Sequence, residues 1–153
     1  MSALAALLAT WFGSGRLPRA PGTWGSLAAL PCAWLLDATT GGSGLAAGTA
    51  AVFVIGLWAA KRYLANSLVA DPPEVVIDEV VGQWLALLFA PRTLAIYGLA
   101  FVLFRLFDIW KPWPIRWADR TIPGALGVML DDVLAGLAAL AVLTAIRFVL
   151  PVA

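Results

Sequence analysis

Residues 104–132 of the chain read FRLFDIWKPWPIRWADRTIPGALGVMLDD and lie between two apolar runs. This segment holds eight of the nineteen charged residues (ten Lys or Arg and nine Asp or Glu) and three of the ten prolines, and it ends in two adjacent carboxylates. Charged side chains in an apolar chain are costly and usually functional. The segment therefore predicts half of a polar site at one face of a membrane.

Composition assigns the chain to the integral membrane proteins. Its 153 residues suit a single domain, 1–153, and they are 62% hydrophobic and only 12% charged, with a mean hydropathy of +0.91. Soluble domains contain about 25% charged residues. A net charge of +1 gives no strong attraction to nucleic acid. The single cysteine, Cys32, excludes an internal disulfide and a thiolate metal cluster, and the chain has no His.

The apolar runs predict an all-α, polytopic bundle with about five membrane helices, at residues 26–36, 45–60, 74–89, 93–107 and 133–150. Several are shorter than the ~20 residues of a typical membrane helix, so we expect tilting or extension into the flanking segments. The N-terminal run Ser2–Phe12 is too short to cross the ~30 Å hydrocarbon core. It predicts a short helix in the interface or against the bundle.

Alternating these helices across a bilayer separates the basic residues unequally. The connections 13–25, 61–79 and 105–132 fall on one side with eight of the ten basic residues, and only Arg92 and Arg147 fall on the other. This bias predicts that the first side is cytoplasmic. We expect Arg147 to extend to the opposite interface, and we interpret Arg116, Asp119 and Arg120 as interface charges.

Five carboxylates are predicted to meet at the cytoplasmic face. Asp78 and Glu79 open one predicted helix, Asp108 closes another, and Asp131 and Asp132 open a third. Acids at helix N-termini are ordinary caps, but an acid near a C-terminus is unfavourable, so capping does not explain Asp108. Converging carboxylates without His or Cys suit a hard cation such as Mg²⁺.

Cations and a glycine-rich loop accompany the acids. The i, i+3, i+6 spacing of Arg105, Asp108 and Lys111 gives them one helix face, where the two cations could clamp a phosphate. A self-neutralising ion network is the alternative. The loop GSGRLPRAPGTWG at 13–25 contains Arg16 and could offer backbone N–H groups to a phosphate, but it lacks the Gly-Lys-Ser/Thr ending of a Walker loop.

Four blocks resemble the phosphatidylglycerophosphatase A family: GSGRLPRAPGTWGS at 13–26, DPPEVVIDEVVGQW at 71–84, FRLFDIWKPWPI at 104–115 and PGALGVMLDDVLAG at 123–136. They occur in the family's order. The resemblance implies an all-helical enzyme of the bacterial inner membrane that removes the terminal phosphate of phosphatidylglycerophosphate with Mg²⁺. It implies metal ligands at Asp78, Glu79, Asp108, Asp131 and Asp132, of which all but Asp131 are also expected to be catalytic. The phosphate contacts that it implies are Arg16, Thr23, Arg105 and Lys111.

The expected reaction is attack by water, with Asp78 or Glu79 as general base. An aspartyl-phosphate mechanism is the alternative, although the Asp-x-Asp-x-Thr/Val pattern is absent. Two other functions stay open at this point: a small ion or proton translocator, and a non-catalytic membrane adaptor. A CDP-alcohol phosphotransferase is disfavoured because its Asp-x₂-Asp-Gly…Asp-x₃-Asp signature is missing.

Overall fold

The computed structural model describes residues 2–149, and all its regular elements within that range are helical. The helices are α1 (Ala3–Ala9), α2 (Pro21–Leu64), α3 (Ile77–Ala86), α4 (Leu94–Trp110), α5 (Ile115–Thr121) and α6 (Gly124–Val149), with a 3-10 turn at Ser14–Arg16. The predicted all-α class is confirmed. Of about five predicted membrane helices, two elements are long and apolar enough to cross a membrane, α2 and α6.

Helix α2 is interrupted at Gly41, whose φ of 72° and ψ of −178° lie outside the helical region. A Cβ on Gly48 would lie 2.5 Å from a methyl group of Leu36. Twelve residues of straight helix would separate these positions by about 18 Å, so the chain turns back at Gly41. The first arm (21–40) and the second arm (42–64) thus form a hairpin, which confirms the predicted break at 37–44.

Helix α3 is the centre of the bundle, with eight of its ten residues buried. Its Trp84 indole donates a hydrogen bond to the Ala29 carbonyl of the first arm at 2.9 Å. On its other side, a Cβ on Gly136 of α6 would lie 2.4 Å from the Gly82 carbonyl oxygen. The two glycines let the backbones of α3 and α6 touch. This contact fixes the acids of α3 beside those of α6.

Helix α1 is tucked against the bundle. The Val76 N–H donates to the Ala9 carbonyl at 2.9 Å, and Ala5 and Ala9 are fully buried. The Trp11 ring meets Trp84 edge-on at 5.9 Å. The second of the two positions predicted for this segment, against the bundle, is therefore the observed one.

Contacts between the connections define two ends of the molecule. At one end Lys111 bonds to Asp131, and Gly22 abuts Glu79. At the opposite end Arg92 pairs with Asp37 at 3.4 Å, and Arg147 donates to the Phe89 carbonyl at 2.7 Å. Arg147 therefore bonds to the α3–α4 connection at this end, and its predicted extension to the interface stays a prediction.

Two helix boundaries differ from the prediction in ways that matter for the acids. Helix α6 starts at Gly124 and not at residue 133, so Asp131 and Asp132 lie two turns inside it. Helix α2 starts at Pro21 and not at Ser26, so Thr23 belongs to its first turn. Helix α5 was not predicted, because the aromatic residues and prolines around 110–114 favoured a loop. Helix α4 ends at Trp110, which places Asp108 in its last turn as expected.

Candidate active site

A cavity of about 580 Å³ lies at the end of the bundle where α2 begins and α4 ends. All five predicted carboxylates line it, together with Arg105 and Lys111. Its remaining wall comes from the start of α2, the 70–75 connection and the first turns of α6. The sequence pattern thus predicted side chains that meet here, although they come from three separate parts of the chain.

Three carboxylates converge most closely. One oxygen from each of Asp78, Glu79 and Asp132 lies within 4.8 Å of the others. Asp78 and Asp132 are only 7% and 3% exposed. At that distance two ionised carboxylates repel by about 3 kcal/mol at an effective dielectric constant near 20. The cluster is therefore costly unless a proton or a cation neutralises part of its charge.

Each of the other two acids of the set is engaged by a cation. Arg105 Nη1 donates to Asp108 Oδ2 at 2.5 Å and lies 3.9 Å from Glu79 Oε1. Lys111 Nζ donates to Asp131 Oδ2 at 2.5 Å. Asp108 also lies close enough to Asp132 to interact with it. Asp108 and Asp131 thus connect the acid cluster to the two cations.

Lys111 ends α4 in the left-handed conformation, with φ of 47°, and its N–H bonds to the Phe107 carbonyl. Its ammonium also donates to Asp119 Oδ1 at 2.7 Å. Burial alone would lower the pKa of Lys111, but its hydrogen bonds to Asp119 and Asp131 outweigh burial and raise the pKa above its ordinary value. Lys111 is therefore a fixed positive charge at the rim of the cavity.

Gly22 brings the start of α2 into contact with the acids. A Cβ at this position would lie 2.2 Å from Glu79 Oε1 and 3.0 Å from Arg105 Nη1. Ala20, two residues before Gly22, has a φ of 48° and also lines the cavity. Left-handed backbone at residues other than glycine is strained and occurs often at functional sites.

Sequence reasoning missed two acids of this cavity. Asp119 was interpreted as an interface charge, but it accepts the Lys111 hydrogen bond and lines the cavity. Asp71 lies in the wall from the 70–75 connection, and burial raises the pKa of this carboxyl while the Lys111 charge opposes the rise. The position of Asp71 within the block 71–84 was a usable signal. Asp119 offered no such signal, since it lies on a helix that was not predicted and its partner is eight residues away.

Arg16 and Thr23 stand apart from this group. Arg16 is exposed in the 3-10 turn and Thr23 is half-buried on the first turn of α2, and neither is among the described residues that line the cavity. Their predicted contact with a phosphate stays a prediction.

The donor set fits a hard divalent cation. Every side-chain donor in the three-acid cluster is a carboxylate oxygen, the ligand type that Mg²⁺ and Ca²⁺ prefer. Within residues 2–149, the buried atoms Glu79 Oε2 and Asp131 Oδ1 have no hydrogen-bond partner. A buried carboxylate oxygen without a partner is costly, and a bound cation removes that cost.

The fold and this cavity define a class: an all-helical, apolar protein with a cluster of carboxylates that could hold a cation, and with an arginine and a lysine in the same cavity. The chain belongs to the phosphatidylglycerophosphatase A family, whose sequence model matches residues 7–147.

Three relatives show the extent of the similarity. The chain is 40% identical over 131 residues to phosphatidylglycerophosphatase A of Escherichia coli strain K12, which covers 85% of this chain and 76% of the relative. It is 41% identical over 143 residues to the Haemophilus influenzae Rd protein of the same name, covering 93% and 88%. It is also 41% identical over 160 residues to a Bacteroides thetaiotaomicron protein provisionally named a phosphatidylinositol-3-phosphatase, covering 97% of each. No solved structure matches the chain.

Proposed function

We propose that the protein hydrolyses the terminal phosphomonoester of phosphatidylglycerophosphate, giving phosphatidylglycerol and inorganic phosphate. The observation that carries the proposal is the convergence of Asp78, Glu79 and Asp132 in a cavity that also contains Arg105 and Lys111. Phosphoryl transfer requires acids that can hold a metal ion and basic side chains that can hold the phosphate. Membership of the family and the names of its bacterial relatives support the same reaction.

The cavity supports binding of a phosphate group through its cations. Arg105 is fixed by Asp108, and its buried Nε has no hydrogen-bond partner among the described residues. An arginine held in this way can offer further donors to phosphoryl oxygens without losing much conformational entropy. Lys111, at the end of the same helix, adds a second positive charge to the cavity. Arg16, in the 3-10 turn before α2, and Thr23, in the first turn of α2, are proposed to contact the substrate.

Mg²⁺ is the cation that we propose for the acid cluster, with Asp78, Glu79 and Asp132 as ligands and Asp108 and Asp131 beside them. When bound, Mg²⁺ would neutralise the clustered carboxylates and polarise the phosphate. The two unpartnered oxygens, Glu79 Oε2 and Asp131 Oδ1, support a site that is completed by a cation.

In the proposed reaction, a water oxygen forms a bond to phosphorus while the bond from phosphorus to the glycerol oxygen breaks. Whichever of Asp78 and Glu79 keeps a carboxylate oxygen free of the cation accepts a proton from the attacking water, and the departing alkoxide takes up a proton from solvent water to become the glycerol hydroxyl. Arg105 and Lys111 stabilise the charge on the phosphoryl oxygens in the transition state. Trapping a phosphate on an aspartate would instead favour the aspartyl-phosphate route.

We propose that the five apolar segments cross the inner membrane of a bacterium, α3 only together with the residues that flank it because its ten residues reach about 15 Å, and that the cavity opens at the cytoplasmic face. The two arms of α2, together with α3, α4 and α6, alternate between the two ends of the molecule. Large apolar side chains are exposed along them, including Leu35 and Val54 at 66% each. Eight of the ten basic residues belong to connections at the cavity end, as the positive-inside rule requires of a cytoplasmic face.

The decisive experiment measures phosphate release from phosphatidylglycerophosphate by the purified protein, with and without Mg²⁺. We expect Mg²⁺-dependent release that Asp132→Asn and Asp108→Asn each abolish, while both variants keep the wild-type unfolding temperature within a few degrees. Asp37→Asn is the matched control, because Asp37 is an acid at the opposite end. Near-wild-type turnover by either cavity variant would refute the carboxylate site.

The same assay separates the possible lipid substrates. Phosphatidylinositol 3-phosphate shares the phosphomonoester and the acyl chains but has a bulkier headgroup, and one relative is named for it. We expect a higher kcat/KM for phosphatidylglycerophosphate. A preference for the inositol lipid would support the phosphatase reaction but refute phosphatidylglycerophosphate as the preferred substrate.

A further inference from the structure

A second cavity runs along the outer face of α4. It is a groove of about 720 Å³ lined by Phe101, Val102, Arg105, Leu106, Ile109 and Trp110. Every lining residue except Arg105 is apolar. Val102, Leu106 and Ile109 follow each other at i, i+4 and i+7, and they are 58%, 52% and 71% exposed. The groove is therefore an apolar strip on the surface of the bundle.

The groove adjoins the carboxylate cavity. Arg105 and Ile109 line both. Arg105 places its guanidinium between Asp108 and Glu79, while its neighbours on the outer face of α4 are apolar. A molecule whose phosphate contacts Arg105 therefore has an apolar surface beside it, which runs along α4 from Trp110 at the cavity end to Phe101.

The length of the groove fits one leaflet. Nine residues of rise separate Phe101 from Trp110, which is about 13 Å along the axis. Half of the ~30 Å hydrocarbon core is about 15 Å. Trp110, 62% exposed at the cavity end, suits the headgroup level, where exposed tryptophans concentrate.

From the two residues that the groove and the cavity share, we propose that the groove on α4 binds an acyl chain of the lipid substrate while the phosphomonoester occupies the carboxylate cavity. The inference rests on the proposed phosphatase function and adds the position at which the lipid enters, between the outer face of α4 and the cavity. It makes Val102 and Leu106 binding residues for the acyl chain, with no part in the chemical step.

The test adds bulk within the groove and keeps the residue apolar. Val102→Trp is compared with Val54→Trp, which changes an equally exposed valine of α2 that lines neither cavity. KM and kcat are measured with dioleoyl phosphatidylglycerophosphate and with its dihexanoyl analogue. We expect Val102→Trp to raise KM for the dioleoyl lipid by about tenfold, the scale of a small misfit in an apolar pocket. Its kcat, both constants for the dihexanoyl lipid, and the Val54→Trp enzyme should stay near wild type, since losing a contact that is equally strong in the ground state and the transition state changes KM alone.

The outcomes separate the groove from the function. If the wild type is active and both tryptophan variants give the same KM for the dioleoyl lipid, the groove only faces bulk lipid and the proposal is wrong. If Val102→Trp changes the oligomeric state in light scattering and raises KM equally for both lipids, a second copy of the chain covers the groove, which also overturns it. If the wild type releases no phosphate from either lipid, the proposed function itself fails. Leu106→Trp replaces Val102→Trp should the latter not fold.

Discussion

Gly22→Ala tests the position of the Glu79 carboxylate with a single methyl group. The new Cβ would lie 2.2 Å from Glu79 Oε1. Carbon and oxygen rarely approach closer than about 3.3 Å, so the carboxylate must retreat by about 1 Å. A displacement of about 1 Å at a reacting group can lower the rate by about 100-fold. We therefore expect kcat to fall by about that factor.

The fold should tolerate this change. The clashing atom is the tip of a flexible side chain, and alanine is favoured over glycine in a helix by roughly 0.5–1 kcal/mol. Thermal unfolding should therefore stay at or above the wild-type midpoint. Gly98→Ala is the matched control: Gly98 is exposed on α4, and a Cβ there would meet nothing within 4 Å. It should leave phosphate release unchanged.

A double variant shows whether the effect passes through Glu79. In a Glu79→Ala background the clash is gone, so adding Gly22→Ala should lower the residual phosphate release no further. The reasoning is refuted if Gly22→Ala alone retains wild-type turnover, or if its loss is as large without the Glu79 carboxylate as with it. The first result would mean that Glu79 is not needed at its observed position. The second would mean that Gly22 acts through another contact.

Three further perturbations examine charge, packing and metal. Lys111→Met leaves the buried Asp131 carboxylate, 6% exposed, without its cationic partner and should lower the free energy of unfolding by about 1–3 kcal/mol. Lys61→Met should not change this free energy, and equal unfolding midpoints for the two variants would contradict the ion pair. In Gly136→Ala the new methyl group would clash with the backbone of Gly82, which cannot move aside as a flexible side chain can. This variant should lose about 1–3 kcal/mol of stability in the same thermal assay, unlike Gly98→Ala. EDTA should abolish phosphate release and lower the unfolding midpoint, and Mg²⁺ should restore both; a midpoint insensitive to Mg²⁺ would argue against a cation in the acid cluster.

The sequence predicted most of the residues that line the cavity because most charges in an apolar chain lie near the ends of its apolar runs. Asp78, Glu79 and Asp108 flank apolar runs, and alternation of those runs brings them to one end. The same logic located Lys111 after α4. Burial and partners, however, depend on contacts between distant segments. No local pattern indicates that Asp119 bonds to Lys111, or that Gly22 lies against Glu79.

The boundary of α6 was mispredicted for a physical reason. The prediction treated the acids at 131–132 as the start of the helix, because charge usually marks the edge of an apolar segment. The helix instead begins at Gly124, directly after Pro123, and continues through the acids. Burying Asp131 and Asp132 two turns inside a helix is tolerable because Lys111 and a bound cation can offset their charge. The contact between Gly82 and Gly136 then determines which acids of α3 they meet.

The distribution of polar groups between the two ends bears on whether the acids serve transport or hydrolysis. A translocator needs polar groups across the apolar interior, but the buried hydroxyls of Ser26 and Thr49 bond to carbonyls of their own helix. Among the described residues beyond them, Gln83 is the buried polar side chain nearest the acids along α3, one turn from Glu79. At the opposite end, Asp37 and Arg147 hold connections together. Because the described residues show no continuous line of buried polar side chains between the two ends, and an adaptor has no use for buried acids that repel each other, the arrangement favours a reaction completed at the cavity end of the molecule.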